Sequence, residues 1–389
     1  MAEVKKWRDF YEKEAEVKNW LGFYNLISGY SRRIKDLYLS GLTTNDDFIK
    51  EFVNYALLLP SLERLELKYW QGLGYKEDNP FQSFLPGLKY LDLEYIPLYP
   101  SFRPLNKLTH FKFKDPGFNY HIDILFEFLE QNALLETVDL DIDISDPGFR
   151  STPSSRGPIK KLKNLSHLRV VSKKTALLQT LISKIRPPDR GSLEIISQSI
   201  TSLGEILSDT HVKSFMAKLS PDCMELASGS GIRAQMSGQN GSFYFHGPPS
   251  LLTTLDVFPS SCYEKVRELR LETIPILKLD PQLFPALEVL SMFGNESDMS
   301  HILSGLFSSP KLLPKLKTIS IDATVDSENF RKKLVKFIKE RKKLEGIPLP
   351  CVEIVGKARG KNDPIHTKLR ELRKHMDVVH KDRYYRPVL

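Results

Sequence analysis

The sequence predicts an α/β repeat fold, because one short apolar frame recurs along most of its 389 residues. The frame is L-x-x-L-x-L, as in Leu62, Leu65 and Leu67, and other apolar residues often stand in for leucine. It starts at these positions: Ile34, Leu62, Leu88, Leu108, Leu135, Leu165, Val266, Leu287, Leu316 and Leu349. Within each of the two runs the starts lie 20 to 33 residues apart, a loosened form of the leucine-rich-repeat period. The expected fold is therefore α/β, an irregular leucine-rich-repeat solenoid (horseshoe) with helical caps.

Each frame predicts a short strand, and several of the connecting segments predict helices. Side chains alternate along a strand, so the frame residues face the core and the residues between them face solvent. Apolar side chains fall on one helical face in 48–57 and 122–129, and 175–185 is also predicted to be helical. Connections of this kind make successive strands parallel, and stacked repeats bend the sheet into an arc.

The pattern divides the chain into five segments. They are an N-terminal helical cap (1–33), the first half of the repeats (34–189), an irregular β-containing insertion within the array (190–260), the second half of the repeats (261–356) and a basic C-terminal helical tail (357–389). In the insertion, 203–219 predicts one or two helices, and three short strand-like stretches between 224 and 245 predict a small antiparallel set. In the tail, apolar residues from Ile365 to Val379 are spaced four and three apart, which predicts a last helix.

Composition restricts where the protein works. No run of about 18 apolar residues is present, so no membrane span is expected. The N-terminal residues are charged and lack the apolar core of a secretory signal. Three widely separated cysteines (Cys223, Cys262 and Cys351) form no disulfide framework, which favours a reducing compartment. We expect a cytoplasmic or nuclear protein.

Two small clusters were considered as sites of chemistry. Asp139, Asp141 and Asp143 alternate on one side of a predicted strand, where they form either a divalent-cation site or simply a solvated face. His366, His375 and His380 are not spaced to share one helical face as zinc ligands. Since no catalytic motif is present, we expect no enzyme activity, no metal and no cofactor.

The repeat geometry predicts a binding surface for a protein partner. Residues between the frame positions line up on the concave face of the sheet, and the candidate contacts are Tyr38, Arg64, Glu66, Tyr90, Asp92, Lys112, Asp139, Arg169 and Arg270. The same rows include Asp36, His110, Thr137, His167, Glu268, Val289, Ser291, Thr318 and Ser320. Mixed charge with tyrosine and arginine suits a protein better than a uniform polyanion. The other interpretation is a solvated face with no specific ligand.

The basic C-terminal end predicts an alternative function. Residues 331–389 carry 18 Lys/Arg against 7 Asp/Glu, whereas the whole chain has a net charge of +8. Clustered Lys/Arg binds phosphates in a salt-dependent way, and Tyr384 and Tyr385 beside arginines can stack on bases. Nucleic-acid or anionic-surface binding through 331–389 is this alternative, and a solvated helix face is the simpler interpretation.

The segments that lead into two frames, Leu59-Pro60-Ser61-Leu62 and Phe284-Pro285-Ala286-Leu287, resemble the leucine-rich-repeat region of the F-box proteins of mushroom-forming fungi. The irregular β segment near 211–257 and the charged helix before Ile347-Pro348-Leu349 are similar too, so the likeness covers roughly 20–356. In that family an F-box ties the repeats to a cullin-based ubiquitin ligase, and the repeats select the substrate. No L-P-x-E-[IL] module precedes the first frame here, so ligase subunits are expected as partners only if an F-box is supplied.

Overall fold

The chain divides into two compact units, Met1–Pro188 and Asp189–Leu389. The computed structural model describes residues 30–40, 59–68, 85–95, 98, 104–114, 122–142, 159, 162–197, 203–228, 231–248, 258–272, 280–294, 311, 313–322, 328–356, 370 and 372–381. These residues form a mixed α/β structure with fifteen strands, six in the first unit and nine in the second. Among them, no helix is both long and apolar enough to cross a bilayer.

The first unit contains a parallel sheet whose strands lie side by side in chain order. They are β1 (Asp36–Ser40), β2 (Arg64–Lys68), β3 (Tyr90–Glu94), β4 (His110–Lys114), β5 (Thr137–Asp141) and β6 (His167–Ser172). The register aligns the second frame residue of each strand with that of its neighbour: Leu37, Leu65, Leu91, Phe111, Val138 and Leu168. All of these residues are buried. Here the parallel strands predicted from the frame are confirmed.

A turn before β2, β3 and β4 adds a core position three residues before the first frame residue. The Leu62 N–H donates to the Leu59 carbonyl over 3.1 Å, and the same bond joins Leu88 to Leu85 and Leu108 to Leu105. The earlier residue of each pair is buried, so it is a further core position. The repeat unit therefore has four apolar positions instead of three.

Two helices of the first unit agree with the prediction: α1 (Ile122–Gln131) and α2 (Thr175–Ile185). Directly after α1, the buried Asn132 occupies the extra core position of the fifth frame. Its Oδ1 accepts from the Leu105 N–H (2.8 Å), and its Nδ2 donates to the Phe128 carbonyl (2.6 Å). Asn132 thus ties the end of α1 to the turn of the preceding repeat. The predicted helix at 48–57 and the cap at 1–29 lie outside the described residues.

The second unit begins with strands that do not follow chain order. They are β7 (Gly191–Ser197), β8 (Pro221–Ser228), β9 (Ile232–Gly238) and β10 (Gly241–Gly247), arranged β7-β10-β9-β8. Strand β9 is antiparallel to both β8 and β10, which confirms the predicted antiparallel set. Its outer strands also pair in parallel, β10 with β7 and β8 with β11 (Glu268–Glu272). The set is therefore an integral part of the sheet of this unit.

A pair of glycines permits the contact between β7 and β10. Gly241 lies opposite Gly191 in the register, and its φ of +141° is a conformation that other residues rarely adopt. A Cβ atom at position 241 would lie 1.6 Å from the Gly191 carbonyl oxygen. Only glycine fits there without a shift of the backbone.

Helices accompany this unit as well. Before the antiparallel set come α3 (Leu203–Leu207) and α4 (Thr210–Leu219), and Asp209 caps α4 by accepting from the His211 and Val212 N–H groups. The long helix α5 (Glu328–Lys342) precedes β14 (Cys351–Val355) and matches the charged helix expected before Ile347-Pro348-Leu349. Both predictions are confirmed.

Strands β11, β12 (Val289–Phe293), β13 (Thr318–Asp322), β14 (Cys351–Val355) and β15 (Val378–Lys381) are parallel. Four of them carry the predicted frames. The last frame departs from expectation, because Leu349 is 46% exposed although Val352 is fully buried. Leu349 stands between two prolines and lacks the preceding turn bond that places the first frame residue inward in other repeats.

Strand β15 corrects the prediction of a last helix that runs to Val379. Val378 and Val379 pair with Val352 and Glu353, so the chain is extended there. The backbone bonds of Val352 N–H to Asp377 (2.9 Å) and of Gly356 N–H to Lys381 (3.0 Å) explain why. Without β15, these donors on β14 would lack partners, and β-branched valines favour a strand. Residues 357–369 and 382–389 of the predicted tail lie outside the described residues.

Candidate binding face

The solvent-side positions of β1 to β6 form two ordered rows, which we call the polar face. One row follows the register through Asp36, Arg64, Tyr90, His110, Thr137 and His167, and the other through Tyr38, Glu66, Asp92, Lys112, Asp139 and Arg169. Eight of the nine candidate contacts lie here. The ninth, Arg270, lies on β11 in the second unit.

Arg64 and Tyr90 form the first cluster on this face. The Arg64 guanidinium lies 4.0 Å above the centroid of the Tyr90 ring, and its Nε donates to Glu66 Oε1 over 2.8 Å. On the other side, the ring of His110 stacks on Tyr90 with 6.1 Å between centroids. Cation–π and aromatic contacts of this kind hold the rings and the guanidinium in fixed positions.

Asp92 is the centre of the second cluster. Lys68 and Lys112 place their Nζ atoms 3.7 and 3.6 Å from its Oδ2, and Lys68 also lies 3.5 Å from Glu66 Oε2. The carboxylate is only 2% exposed, and burial raises its pKa although the two lysines oppose this. Among the described residues, no donor reaches its Oδ1. Attraction between the Asp92 carboxylate and the two lysines therefore holds the cluster together, although burying the carboxylate costs desolvation free energy.

Two further ion pairs continue the polar face. Arg169 donates to Asp139 Oδ1 over 2.7 Å, joining β6 to β5. Lys114 lies 3.1 Å from Glu94 Oε1 and 4.7 Å from the centroid of Tyr95, and the hydrogen bond with Tyr95 raises the pKa of its ammonium. Both pairs cross between neighbouring strands, as opposite charges on parallel strands can.

The charges of the six strands nearly cancel. They comprise five Lys/Arg and six Asp/Glu, namely Arg64, Lys68, Lys112, Lys114, Arg169, Asp36, Glu66, Asp92, Glu94, Asp139 and Asp141. Some side chains of the polar face still project into solvent, since Tyr38 is 45% and the Lys112 side chain 42% exposed. The face therefore presents aromatic and charged groups to solvent without a strong field of one sign.

The equivalent positions of the second unit are less polar. Arg270 Nε donates to Glu268 Oε1 over 2.7 Å, and its Nη1 lies 3.9 Å from Glu225 Oε2. On β12 and β13 the candidates are Val289, Ser291, Thr318 and Ser320, of which Ser291 and Ser320 are buried. Only near the end of the sheet do charges return, where Glu353 accepts from Ser320 Oγ (2.9 Å) and lies 2.6 Å from Lys381 Nζ.

A third row of the polar face was missed by the sequence reasoning. Lys68, Glu94 and Lys114 follow the last frame residue of their strands and lie in register with one another. They share the alternation that identified the other rows, so the signal was present in the sequence. The prediction stopped at the two positions enclosed by the frame.

Those candidate metal positions that the structure describes do not assemble into a site. Asp139 pairs with Arg169, while Asp143 and His366 lie outside the described residues. His380 Nε2 lies 2.9 Å from the Gly356 carbonyl. No group of three or more His, Cys, Asp or Glu in the described part of the chain is placed to hold a metal ion.

The cysteines are free thiols in environments that disfavour the thiolate. Burial raises the pKa of Cys262 to about 12, and it also raises the pKa values of Cys223 and Cys351. Because the thiolate is the nucleophile, these thiols are poorly reactive at neutral pH.

No family model matches the sequence, and no curated protein shows significant similarity to it.

Proposed function

We propose that the chain is an irregular leucine-rich-repeat solenoid whose polar face binds another protein. The repeat assignment is supported by frames that carry parallel strands in matched register, by turns that add a fourth core position, and by helices between strands. In such proteins each repeat packs mainly on its neighbours, and an ordered face of the sheet remains available for binding.

The polar face is the observation that carries the proposal. Tyrosine and arginine are the residues that most often dominate protein interfaces, and here Arg64, Tyr90 and Arg169 are fixed by stacking and ion pairs. Side chains that are already ordered lose less conformational entropy when a partner binds. Near neutrality of the face favours a protein with matching patches of both signs over a polyanion.

The exposed Tyr38 and the Arg64–Tyr90 pair are the expected anchors. Tyr38 lies on β1 with its ring 5.3 Å from Lys68 Nζ, so an apolar group of the partner can cover one side of the ring. The salt bridges around these anchors set orientation and contribute little affinity where they remain solvated.

The resemblance to the F-box proteins of mushroom-forming fungi leads to a narrower form of the proposal. As the substrate-recognition part of a cullin-type ubiquitin ligase adaptor, in the cytoplasm or nucleus, the polar face would select the protein to be modified. Ligase subunits would join only through an F-box supplied with the repeats.

The test is affinity capture with the full chain as bait, in an extract of a mushroom-forming fungus, with bound proteins identified by mass spectrometry. The chain is compared with a Tyr38→Ala/Tyr90→Ala/Arg169→Ala variant. Loss of hot-spot residues costs about 2 kcal/mol or more each, so a specific partner should disappear from the variant sample.

A matched control removes exposed side chains that are not on the polar face, in a Tyr30→Ala/Leu134→Ala/Arg190→Ala variant. This control should retain the partner. A partner that is retained by the polar-face variant, or lost equally from both variants, would contradict the proposal. Cullin or ligase subunits among the retained proteins would support the adaptor form, and their absence would leave a plain binding module.

A further inference from the structure

Helix α5 presents a row of lysines to solvent. Lys332, Lys336 and Lys339 are exposed at spacings of four and three residues, and the exposed Lys343 follows four residues later in the turn that ends the helix. Residues at these spacings lie on one side of a helix. At 1.5 Å per residue the row extends over about 16 Å. We call these four residues the lysine stripe.

The orientation of the stripe is fixed by the opposite side of the helix. Phe330, Leu334, Phe337 and Ile338 are all at most 3% exposed. At the C-terminal end the guanidinium of the buried Arg341 donates to the carbonyls of Leu313 (2.6 Å) and Pro348 (2.9 Å). Since the apolar side and the end of the helix are both anchored, the lysines cannot turn away from solvent.

The stripe holds an excess of positive charge. Glu340 Oε1 lies 3.9 Å from Lys336 Nζ, and the Lys336 side chain remains 77% exposed. Lys342 adds another exposed cation, and Glu345 is the exposed acid that follows. Like charges spaced four residues apart on a helix repel one another and destabilise it slightly. A ligand with regularly spaced negative charges would remove this repulsion.

The geometry points to the phosphate backbone of a nucleic acid as the ligand, and we propose that the lysine stripe binds it without regard to base sequence. Every exposed residue from 330 to 343 is lysine, so the solvent side offers no apolar group to enter a bilayer as an interfacial helix does. Nor does it offer an aromatic ring to stack on a base. Lysine contacts to phosphates position a nucleic acid but do not read its sequence.

This function uses a different element from the polar face and can be tested separately. Fluorescence anisotropy of the full chain would measure its Kd for labelled single-stranded RNA and duplex DNA, each about 20 nucleotides long and in two unrelated sequences. Four lysine contacts predict that the Kd for duplex rises about 100-fold between about 50 and 200 mM salt, with a smaller rise for single strands. The two sequences should bind with the same Kd.

The decisive variant is Lys332→Gln/Lys336→Gln/Lys339→Gln/Lys343→Gln. Its control, Lys107→Gln/Lys163→Gln/Lys213→Gln/Lys265→Gln, removes the same charge from exposed positions elsewhere in the chain. We expect the stripe variant to bind at least 30-fold more weakly at about 50 mM salt and to show a flatter salt dependence, whereas the control stays within a factor of about three. Circular dichroism should show equal melting temperatures for all three proteins.

Three results would overturn the proposal. They are no nucleic-acid binding at about 50 mM salt, equal losses in the stripe and control variants, and binding of phosphatidylserine-containing vesicles without binding of either oligonucleotide. A Kd that differs strongly between the two sequences would contradict the sequence-independent form.

Discussion

The polar positions of the two units differ although their apolar positions follow the same frame. In the first unit nearly every strand adds ion-paired charges, such as Lys68, Asp92 and Lys112 around β3. On β12 and β13 of the second unit the corresponding positions hold valine, serine and threonine. The buried frame residues on the strands of both units are aliphatic or aromatic side chains with the same spacing, such as Leu65 and Leu67 on β2 and Leu290 and Met292 on β12.

This difference separates what forms the fold from what is free to vary. On β1 to β6 and on β11 to β13 both frame residues within each strand are buried, and truncating a buried leucine costs about 2–5 kcal/mol. The residues between them contact neighbours on the surface, where an exposed pair contributes about 0.2–1 kcal/mol. The charged residues of the first unit are therefore not required for its sheet to form, which is why we propose a binding role for them.

The largest expected effect is a loss of stability that is confined to the second unit. In Gly241→Ala the new Cβ would meet the backbone of Gly191, and φ is positive, so β10 must separate from β7. We expect a loss of more than about 4 kcal/mol in the free energy of unfolding of this unit. Hydrogen-exchange mass spectrometry should show faster exchange in β7 and β10, with β1 to β6 unchanged.

Gly346→Ala is the matched control, because its φ of +77° is also positive but no atom lies within 4 Å of the added Cβ. It should cost only about 1–2 kcal/mol. If the two variants lost equal stability, the close approach of Gly191 and Gly241 would not be the cause.

A smaller loss of stability is expected when the side-chain hydrogen bonds that anchor a helix are removed in each unit. Arg341→Met would remove a fully buried guanidinium that donates to the carbonyls of Leu313 and Pro348, which we expect to cost about 3 kcal/mol. Asn132→Leu would break two hydrogen bonds but would restore the apolar residue found at this position in other repeats, so about 1 kcal/mol is expected. Urea unfolding of both variants measures the difference, and a larger loss for Asn132→Leu would refute this ranking.

The smallest expected effect is a pH dependence of the free energy of unfolding that arises from the desolvated carboxylate of Asp92. Because burial raises the pKa of folded Asp92 above its ordinary value of 3.8, the folded state binds the proton more tightly than the unfolded state. The wild type should therefore lose stability relative to Asp92→Asn as the pH rises from about 3 to 7. Glu63 provides the opposite sign, because its hydrogen bond with Lys89 lowers its pKa. The wild type should gain stability relative to Glu63→Gln over the same range, as measured by urea unfolding. Equal signs for both variants would contradict the assigned pKa directions.

Much of the fold followed from the sequence because the frame is periodic and local. The last two residues of every predicted frame lie on a strand, and α1 and α2 begin and end near the predicted residues. The order β7-β10-β9-β8 did not follow, because strand order depends on distant pairing that three short strand-like stretches do not specify. Strand β15 was missed because Val379 also fits the helical spacing of the apolar residues before it.

The residues of the polar face could be predicted from the sequence, but the contacts among their side chains could not. Alternation along a strand places Arg64, Tyr90 and Asp92 on one side. It does not reveal that Asp92 is almost completely buried or that Arg64 stacks on Tyr90, since these depend on side-chain conformations. The third row was within reach of the same rule and would have completed the ion pairs.

The order of strands in the second unit has a consequence for synthesis on the ribosome. In the first unit every strand pairs with the strand made just before it, so the sheet can lengthen one repeat at a time as the chain emerges. Strand β7 cannot pair with β10 until residue 247 has left the exit tunnel, with two helices and two strands made in between. Pairing over a longer separation in sequence is slower, and exposed apolar strands invite association with other chains during the delay. Translation is therefore expected to leave this protein most exposed to aggregation while residues 191 to 247 are being made.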